Sequence, residues 1–239
     1  MSSRLVILPT YNEAESIAAL VNRIFKYIAD IEILVVDGGS RDGTVEIAKE
    51  IQKHQPRLHL LDEGKKSGIG KAYLTGFAWG LARNYSTIIE MDADLSHRVR
   101  DLAKILEVEN ADLVIGSRWI PGGEIENWSR LRELLSLSAN KYVQLMLRLD
   151  ISDATSGLRA YRADLLRRLD LGSIKSEGYV FQIEMTQAAR RLGSRIVEAP
   201  IIFRERELGK SKISKAIVLE AMLRVTYWGF KRIGGGGGI

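Results

Sequence analysis

The chain is predicted to be an α/β protein built on a doubly wound parallel sheet. Short apolar runs alternate with amphipathic helical stretches from the N-terminus onward, and each run stops at a polar turn rich in glycine or aspartate. Size agrees: 239 residues, 46% of them hydrophobic, suffice for one α/β domain with an appendage and argue against disorder.

Leu5-Val6-Ile7-Leu8 is short, apolar and stopped by Pro9, as a buried first strand would be. Pro9-Thr10-Tyr11-Asn12-Glu13 forms a loop, and the spacing of Ile17, Leu20, Val21, Ile24 and Phe25 predicts a helix from near Glu13 or Ala14. A second strand over 31–36 ends at Asp37-Gly38-Gly39-Ser40-Arg41-Asp42-Gly43-Thr44, and Val45, Ile47, Ala48 and Ile51 mark the next helix. Residues 58–61 supply a third strand, and 64–71 lead to a helix carrying Ala72, Leu74, Phe77, Ala78 and Leu81. The glycines around Lys66 do not complete a P-loop, because Ala72 follows Lys71, and the first turn lacks the Rossmann glycine pattern. Ordinary nucleotide hydrolysis and dinucleotide redox chemistry both lose ground. Gly68 and Gly70 serve either a tight helix entry or a ligand contact.

The organising stretch is Ile88-Ile89-Glu90-Met91-Asp92-Ala93-Asp94-Leu95-Ser96-His97, an apolar run that stops at two carboxylates separated by one residue. As a buried parallel strand it carries both acids at its carboxyl end, the edge where open α/β sheets bind ligands. Two such carboxylates suit a hard divalent cation that shares its other positions with phosphate oxygens and water. Taken alone, Asp-x-Asp also fits a solvated turn with an N-cap acid. Polar clusters at the ends of the other strands favour the metal–pyrophosphate alternative.

Leu102, Ile105 and Leu106 mark a further helix, and Leu113-Val114-Ile115 a strand ending in Gly116-Ser117-Arg118. Arg118 there either clamps a phosphate in bidentate fashion or pairs with a carboxylate. Pro121-Gly122-Gly123 marks a loop and 128–149 a long helix, whose first turns hold Arg130 and Arg132. Cations at a helix N-terminus oppose its dipole, so these arginines need an anion or point to water. Residues 153–162 read as a loop and short strand, and 177–185 as the entry to another helix. Glu184 is either an acceptor-side polar group or a helix-face acid for Arg191. After a strand region over 196–203, the basic segment 204–212 suits closure over an anionic ligand. Charges interrupt the last helix, about 213–233, making it a poor membrane span; it packs on the domain or lies in a bilayer interface with Trp228, Lys231 and Arg232 at the wet edge. Residues 234–238 are a glycine run, expected as a flexible tail.

A formal charge of +5 favours anionic partners. The scattered basic residues and the lack of a stacking-aromatic motif argue against nucleic acid. With no cysteine, disulfides and thiolate zinc sites are excluded. Met1-Ser2-Ser3-Arg4 lacks the tripartite pattern of a signal peptide, and a cytosolic protein is expected.

The motifs at 9–13, 36–44, 91–97 and 178–185, in that order, give the chain its resemblance to the dolichol-phosphate mannose synthases of glycosyltransferase family 2, over about 4–212. The resemblance implies a single Rossmann-like GT-A nucleotide-sugar-binding domain over 1–212, a C-terminal amphipathic helix over 213–233 and a tail over 234–239. It implies that Pro9, Tyr11, Glu13, Val36 and Asp37 bind the donor nucleotide, and that Asp92, Ala93 and Asp94 meet the GDP-mannose diphosphate and its metal, Mg²⁺ or Mn²⁺, with Asp92 and Asp94 as ligands. Arg118, Arg206 and Lys212 match positions that hold substrate phosphates, and Arg118, Arg132 and Ser136 match the site of the lipid phosphate, dolichyl or another polyprenyl phosphate. Asp94, Arg118 and Arg132 are the expected catalytic set. Gly38 stands where the family usually has a second aspartate, which bears on base preference. The expected location is peripheral, on the cytoplasmic face of a membrane, with a separate membrane-anchoring subunit as a further partner.

Overall fold

The structure is a computed structural model that describes residues 3–205 and 215–233; within the last helix, the side chains of 221–231 are described. Seven strands form one sheet: β1 (Arg4–Thr10), β2 (Glu32–Asp37), β3 (Leu58–Asp62), β4 (Thr87–Glu90), β5 (Leu113–Ser117), β7 (Arg159–Arg162) and β8 (Ile196–Pro200), in the order β3-β2-β1-β4-β7-β5-β8. The helices are α1 (Ile17–Tyr27), α2 (Thr44–His54), α3 (Ile69–Ala82), α4 (Val99–Leu106), α5 (Arg130–Leu147), α6 (Ala163–Arg168), α7 (Gly178–Arg191) and α8 (Lys215–Ile233). Short strands β6 (Glu124–Glu126) and β9 (Ile202–Arg204) pair with each other beside the main sheet.

Successive residues of one strand feed opposite cores. Leu5, Ile7, Leu34, Val36 and Ile88 join α3 and α7 on one face; Val6, Leu8, Ile33, Val35 and Ile89 join α1 and α4 on the other. Burial on both faces is why these strands are continuous apolar runs rather than alternating ones. At Gly76 of α3, a Cβ would lie 2.6 Å from Ile7 Cδ1, so the missing side chain lets the helix press onto β1.

The expected parallel sheet has one exception. β7 runs antiparallel to both β4 and β5. The excursion from Ser117 to Arg159 begins and ends at the same sheet edge, since Arg159 pairs with Glu90 at the end of β4. A strand entered from that edge must run backwards. The excursion contains α5 and so sets a long helix beside the carboxyl ends of the strands.

Two other expectations shift, and the last helix takes the first of its two expected placements. The helix placed near Glu13 starts at Ile17, after Glu13 O accepts the N–H groups of Ser16 and Ile17 at 3.1 and 3.0 Å. The strand over 196–203 is two strands, broken at Ile201, whose N–H donates to Ser117 O at 3.0 Å. The last helix packs on α5: Gly229 lies against Met146, Tyr142 and Thr226 share a 2.5 Å hydrogen bond, and Val225 is buried.

Candidate active site

The loops after β1 and β2 are stitched together by side chains. Asn12, at a positive φ of 56°, accepts from Arg41 N through Oδ1, and its own N–H donates to Ser40 Oγ at 2.8 Å. Glu13 N donates to Thr44 Oγ1, and Ala14 N to Asp42 Oδ2. Asp37 is wholly buried, and both its oxygens serve the turn: Gly39 N and Ser40 N donate to Oδ1 at 2.9 and 2.8 Å, Thr10 and Ser40 hydroxyls to Oδ2 at 2.7 and 2.6 Å. The acid thus fixes the turn between β2 and α2. Val36, a second expected donor residue, has its side chain fully inside the core, so its side chain faces no cleft. Pro9 and Tyr11 are partly exposed, and the Lys66 ammonium lies 4.5 Å over the Tyr11 ring. At Gly38 a Cβ would meet Thr10 O at 3.5 Å, an ordinary contact, so nothing in the backbone demands glycine there.

Beyond β4 the chain turns sharply. Leu95 adopts φ 65°, rare for a branched side chain, and Ser96 N donates to Asp94 Oδ1 at 3.0 Å. The turn brings Asp92 and Asp94 to one edge while Ala93 points inward, 4% exposed. The Asp92 side chain is 31% exposed, enough to reach a ligand. Among the described residues no group of three Asp, Glu or His side chains gathers as a ready-made cage. Two carboxylates are enough for a hard divalent cation that completes its shell with phosphate and water oxygens. Beneath the turn, buried Glu90 accepts from Gln182 Nε2 at 2.7 Å. Burial pushes its carboxyl up to about 7 against the opposing pull of the Arg159 charge. Arg159 is itself fully buried and donates to Ser156 O, Ala154 O, Gln182 O and Thr186 Oγ1, tying β7 to α7.

Arg118 sits differently from an outward phosphate clamp. Its Nε and Nη2 donate to the two oxygens of Asp153 at 2.6 and 2.7 Å, its backbone N–H to Asp153 at 3.0 Å, and Nη2 also to Thr155 Oγ1. Both side chains are buried, so the bidentate face of the guanidinium is spent on Asp153. Burial alone would raise the Asp153 carboxyl, but the Arg118 charge and hydrogen bonds outweigh it and hold it below the usual aspartate value.

Arg132 follows the N-cap Ser129 of α5, pairs with Glu205 and lies 4.1 Å over the Trp128 ring. A third of it remains exposed. Glu205 is the anion that the helix dipole required. Ser136, one turn further, is partly exposed; its carbonyl accepts from Asn140 Nδ2, which also reaches Thr155 Oγ1 at 3.4 Å. Arg132, Ser136 and Asn140 therefore form one stripe of α5, linked through Thr155 to Arg118. Tyr179 of α7 lies within electrostatic range of Arg118, Arg132, Asp92 and Asp94.

Glu184 follows neither alternative: it accepts from Ser176 N at 3.0 Å and Lys175 N at 3.3 Å, holding the loop before α7. Arg206 and Lys212 lie outside the described residues. The sequence reasoning missed Asp153 and Glu205, the partners of the two arginines, and the buried pair Tyr73 and His97 beside Asp92. For Asp153 a signal existed in the polar run Asp153-Ala154-Thr155-Ser156-Gly157.

A family model described as glycosyl transferase family 2 matches residues 5–170. An undecaprenyl-phosphate mannosyltransferase of Micrococcus luteus is 49% identical over 226 residues, 94% of this chain and 93% of the relative. A polyprenol monophosphomannose synthase of Mycolicibacterium smegmatis is 46% identical over 230 residues, 95% of this chain and 87% of the relative. Two solved structures share the fold. A mannosyltransferase of Pyrobaculum calidifontis in complex with GDP-Man and Mn²⁺ has a TM-score of 0.60 at 18% identity, covering 96% of this chain and 63% of that one. Glucosyl-3-phosphoglycerate synthase of Mycobacterium tuberculosis, in complex with Mn²⁺, UDP and glucosyl-3-phosphoglycerate, has a TM-score of 0.68 at 19% identity, covering 97% and 79%. With its GT-A architecture and a family match spanning most of its length, the chain belongs to glycosyl transferase family 2.

Proposed function

We propose that the protein is an inverting, metal-dependent glycosyltransferase that moves mannose from GDP-mannose to a polyprenyl phosphate, dolichyl phosphate included, giving a β-linked mannosyl phosphate lipid. The observation that carries this is that Tyr179 of α7 lies within electrostatic range of both the Asp92/Asp94 turn and Arg132 of α5. One side suits a nucleotide diphosphate with its cation, the other a phosphate monoester. The two relatives named above, both close to half identical over nearly the whole chain, carry polyprenyl-phosphate mannosyl transfer in their names.

Asp92 and Asp94 would hold Mg²⁺ or Mn²⁺. When bound, such an ion supplies Lewis-acid stabilisation of charge on a departing diphosphate. The Tyr11 and Glu13 loop, pinned through Asp37 and Thr44, positions the nucleotide. Arg132 and Ser136 receive the acceptor phosphate, with Arg132 exchanging Glu205 for it. Arg118 acts from behind as a buried positive charge that keeps the Asp153–Thr155 loop in place. No protein base is needed, because a phosphate monoester has its second pKa near about 6 and reaches the anomeric carbon already ionised. One in-line displacement inverts the anomeric centre. Glu184, the remaining base candidate for a hydroxyl acceptor, is committed to backbone N–H groups.

The lipid is reached from a membrane surface. Leu131, Leu134 and Leu135, on the helix that carries Arg132 and Ser136, are 70%, 65% and 63% exposed, and Met222, Leu223, Tyr227 and Phe230 of the adjoining α8 are also exposed. Isolated exposed leucines mean little, but a run beside a lipid-phosphate site fits insertion into the headgroup boundary. Among the described residues no helix is long and apolar enough to cross a membrane.

The test is a matrix of GDP-mannose and UDP-glucose against polyprenyl phosphate and unphosphorylated polyprenol, with Mn²⁺ or Mg²⁺. Product is expected for GDP-mannose with the phosphate alone. Glucosyl product would reassign the donor, and product from the alcohol would remove the mechanism.

A further inference from the structure

Asp92 is flanked on both oxygens by buried polar side chains that belong to neither the donor loop nor the acceptor stripe. Tyr73 of α3, fully buried, points its hydroxyl at Oδ1 at 3.5 Å. His97, whose side chain is 1% exposed, places Nε2 3.5 Å from Oδ2. The Tyr73 contact lies at the outer limit of hydrogen bonding, while His97 stands at ion-pair distance without forming a hydrogen bond. Neither ring nitrogen of His97 has a hydrogen-bond partner, a costly state for a buried polar group unless it has a task there. The two residues are held rigidly: Tyr73 stacks on Phe181 at 6.0 Å, and His97 meets Phe203 edge-on at 5.2 Å. On a further side, Gly157 leaves room, since a Cβ there would come within 3.0 Å of Oδ2.

We infer that Tyr73 and His97 are positioning residues that fix the orientation of the Asp92 carboxylate for a divalent cation. This rests on the metal role proposed for Asp92. The physical reason is general: a carboxylate ligand rotates about its side-chain bonds, and neighbours that hydrogen-bond its oxygens select the orientation that a metal needs. Tyr73 and His97 approach different oxygens from different elements, so together they restrict rotation where either alone would not.

The experiment is a titration of Mn²⁺ into the full chain with GDP present, read by the loss of the free-ion electron paramagnetic resonance signal. Wild type, Asp92→Ala, Tyr73→Phe and His97→Asn are compared, with thermal melting as the check on folding. Tyr73→Phe keeps the ring and its stacking and removes the hydroxyl alone. Each positioning variant is expected to weaken Mn²⁺ binding about tenfold or more. In turnover, the metal concentration for half-maximal rate should rise while kcat at saturating Mn²⁺ stays closer to wild type. A purely structural role would lower the melting temperature without moving Mn²⁺ affinity, and that result overturns the inference. Unchanged affinity in both variants, with Asp92→Ala abolishing binding, overturns the positioning role and leaves the metal role standing. No Mn²⁺ binding by wild type removes both.

Discussion

Asp153 accepts two hydrogen bonds from one edge of Arg118, Nε at 2.6 Å and Nη2 at 2.7 Å, in a place where both side chains are buried. Breaking such a pair leaves one buried charge uncompensated, which costs about 3–5 kcal/mol. Asp153→Asn should therefore lower unfolding stability by about that amount, and Arg118→Lys, which cannot reproduce the fork, should also be destabilising. Urea unfolding checks this; a loss below about 1 kcal/mol in Asp153→Asn would contradict a buried pair.

The same pair sets an acid limb. Because the folded Asp153 carboxyl lies below its usual 3.8, the unfolded chain binds more protons in that range and stability rises with pH there. The contribution is fully present above 3.8 and is lost as pH falls through the lower folded value. Thermal melts of wild type should fall more steeply below about pH 4 than those of Asp153→Asn. Parallel acid limbs would contradict the assignment.

Arg132 is the partly exposed counterpart. Its pair with Glu205 is worth little to stability, about 1 kcal/mol or less, so Arg132→Ala should fold nearly as well as wild type. Its acceptor KM should rise at least about tenfold, the value of one charge-assisted phosphate contact. Steady-state kinetics with a polyprenyl phosphate measure this; an unchanged KM would place the acceptor elsewhere.

The exposed leucines of α5 separate folding from membrane contact. Replacing Leu131, Leu134 and Leu135 together by Gln should leave the melting temperature nearly unchanged, because their side chains bury little within the protein. Full burial of one leucine is worth about 1.5–3 kcal/mol, so even partial insertion of three predicts more than about tenfold weaker vesicle binding. Co-sedimentation with liposomes measures it, and undiminished binding would assign the membrane contact to another face.

The strands that the apolar runs predicted are the strands that form, because burial on both faces writes a continuous local signal into β1, β2 and β4. The position of Asp92 and Asp94 just beyond β4 was legible for the same reason, since they stand where such a signal stops. What was not legible depends on distant pairing. Nothing in residues 159–162 announces that β7 runs backwards, since that follows from where the preceding excursion ends. Asp153 lies 35 residues from Arg118 and Glu205 73 from Arg132, so the sequence left a phosphate and a carboxylate both open for Arg118, and an anion or water for Arg132, with no partner named for either. Arg159 is fully buried, its charge dispersed over carbonyls brought together by the fold, and no local pattern in sequence marks it. β6, three residues long, is too short to show any alternation.

The most direct test of the whole account is transfer of labelled mannose from GDP-mannose to polyprenyl phosphate, with Mn²⁺, by wild type and by Asp94→Asn, each verified as folded by its melting curve. Wild type should form a mannosyl phosphate lipid, and Asp94→Asn should lose at least about a hundredfold in rate, the scale of losing one preorganised electrostatic contact in a transition state. Wild-type rates in a folded Asp94→Asn variant would contradict the claim that the acids beyond β4 carry the chemistry.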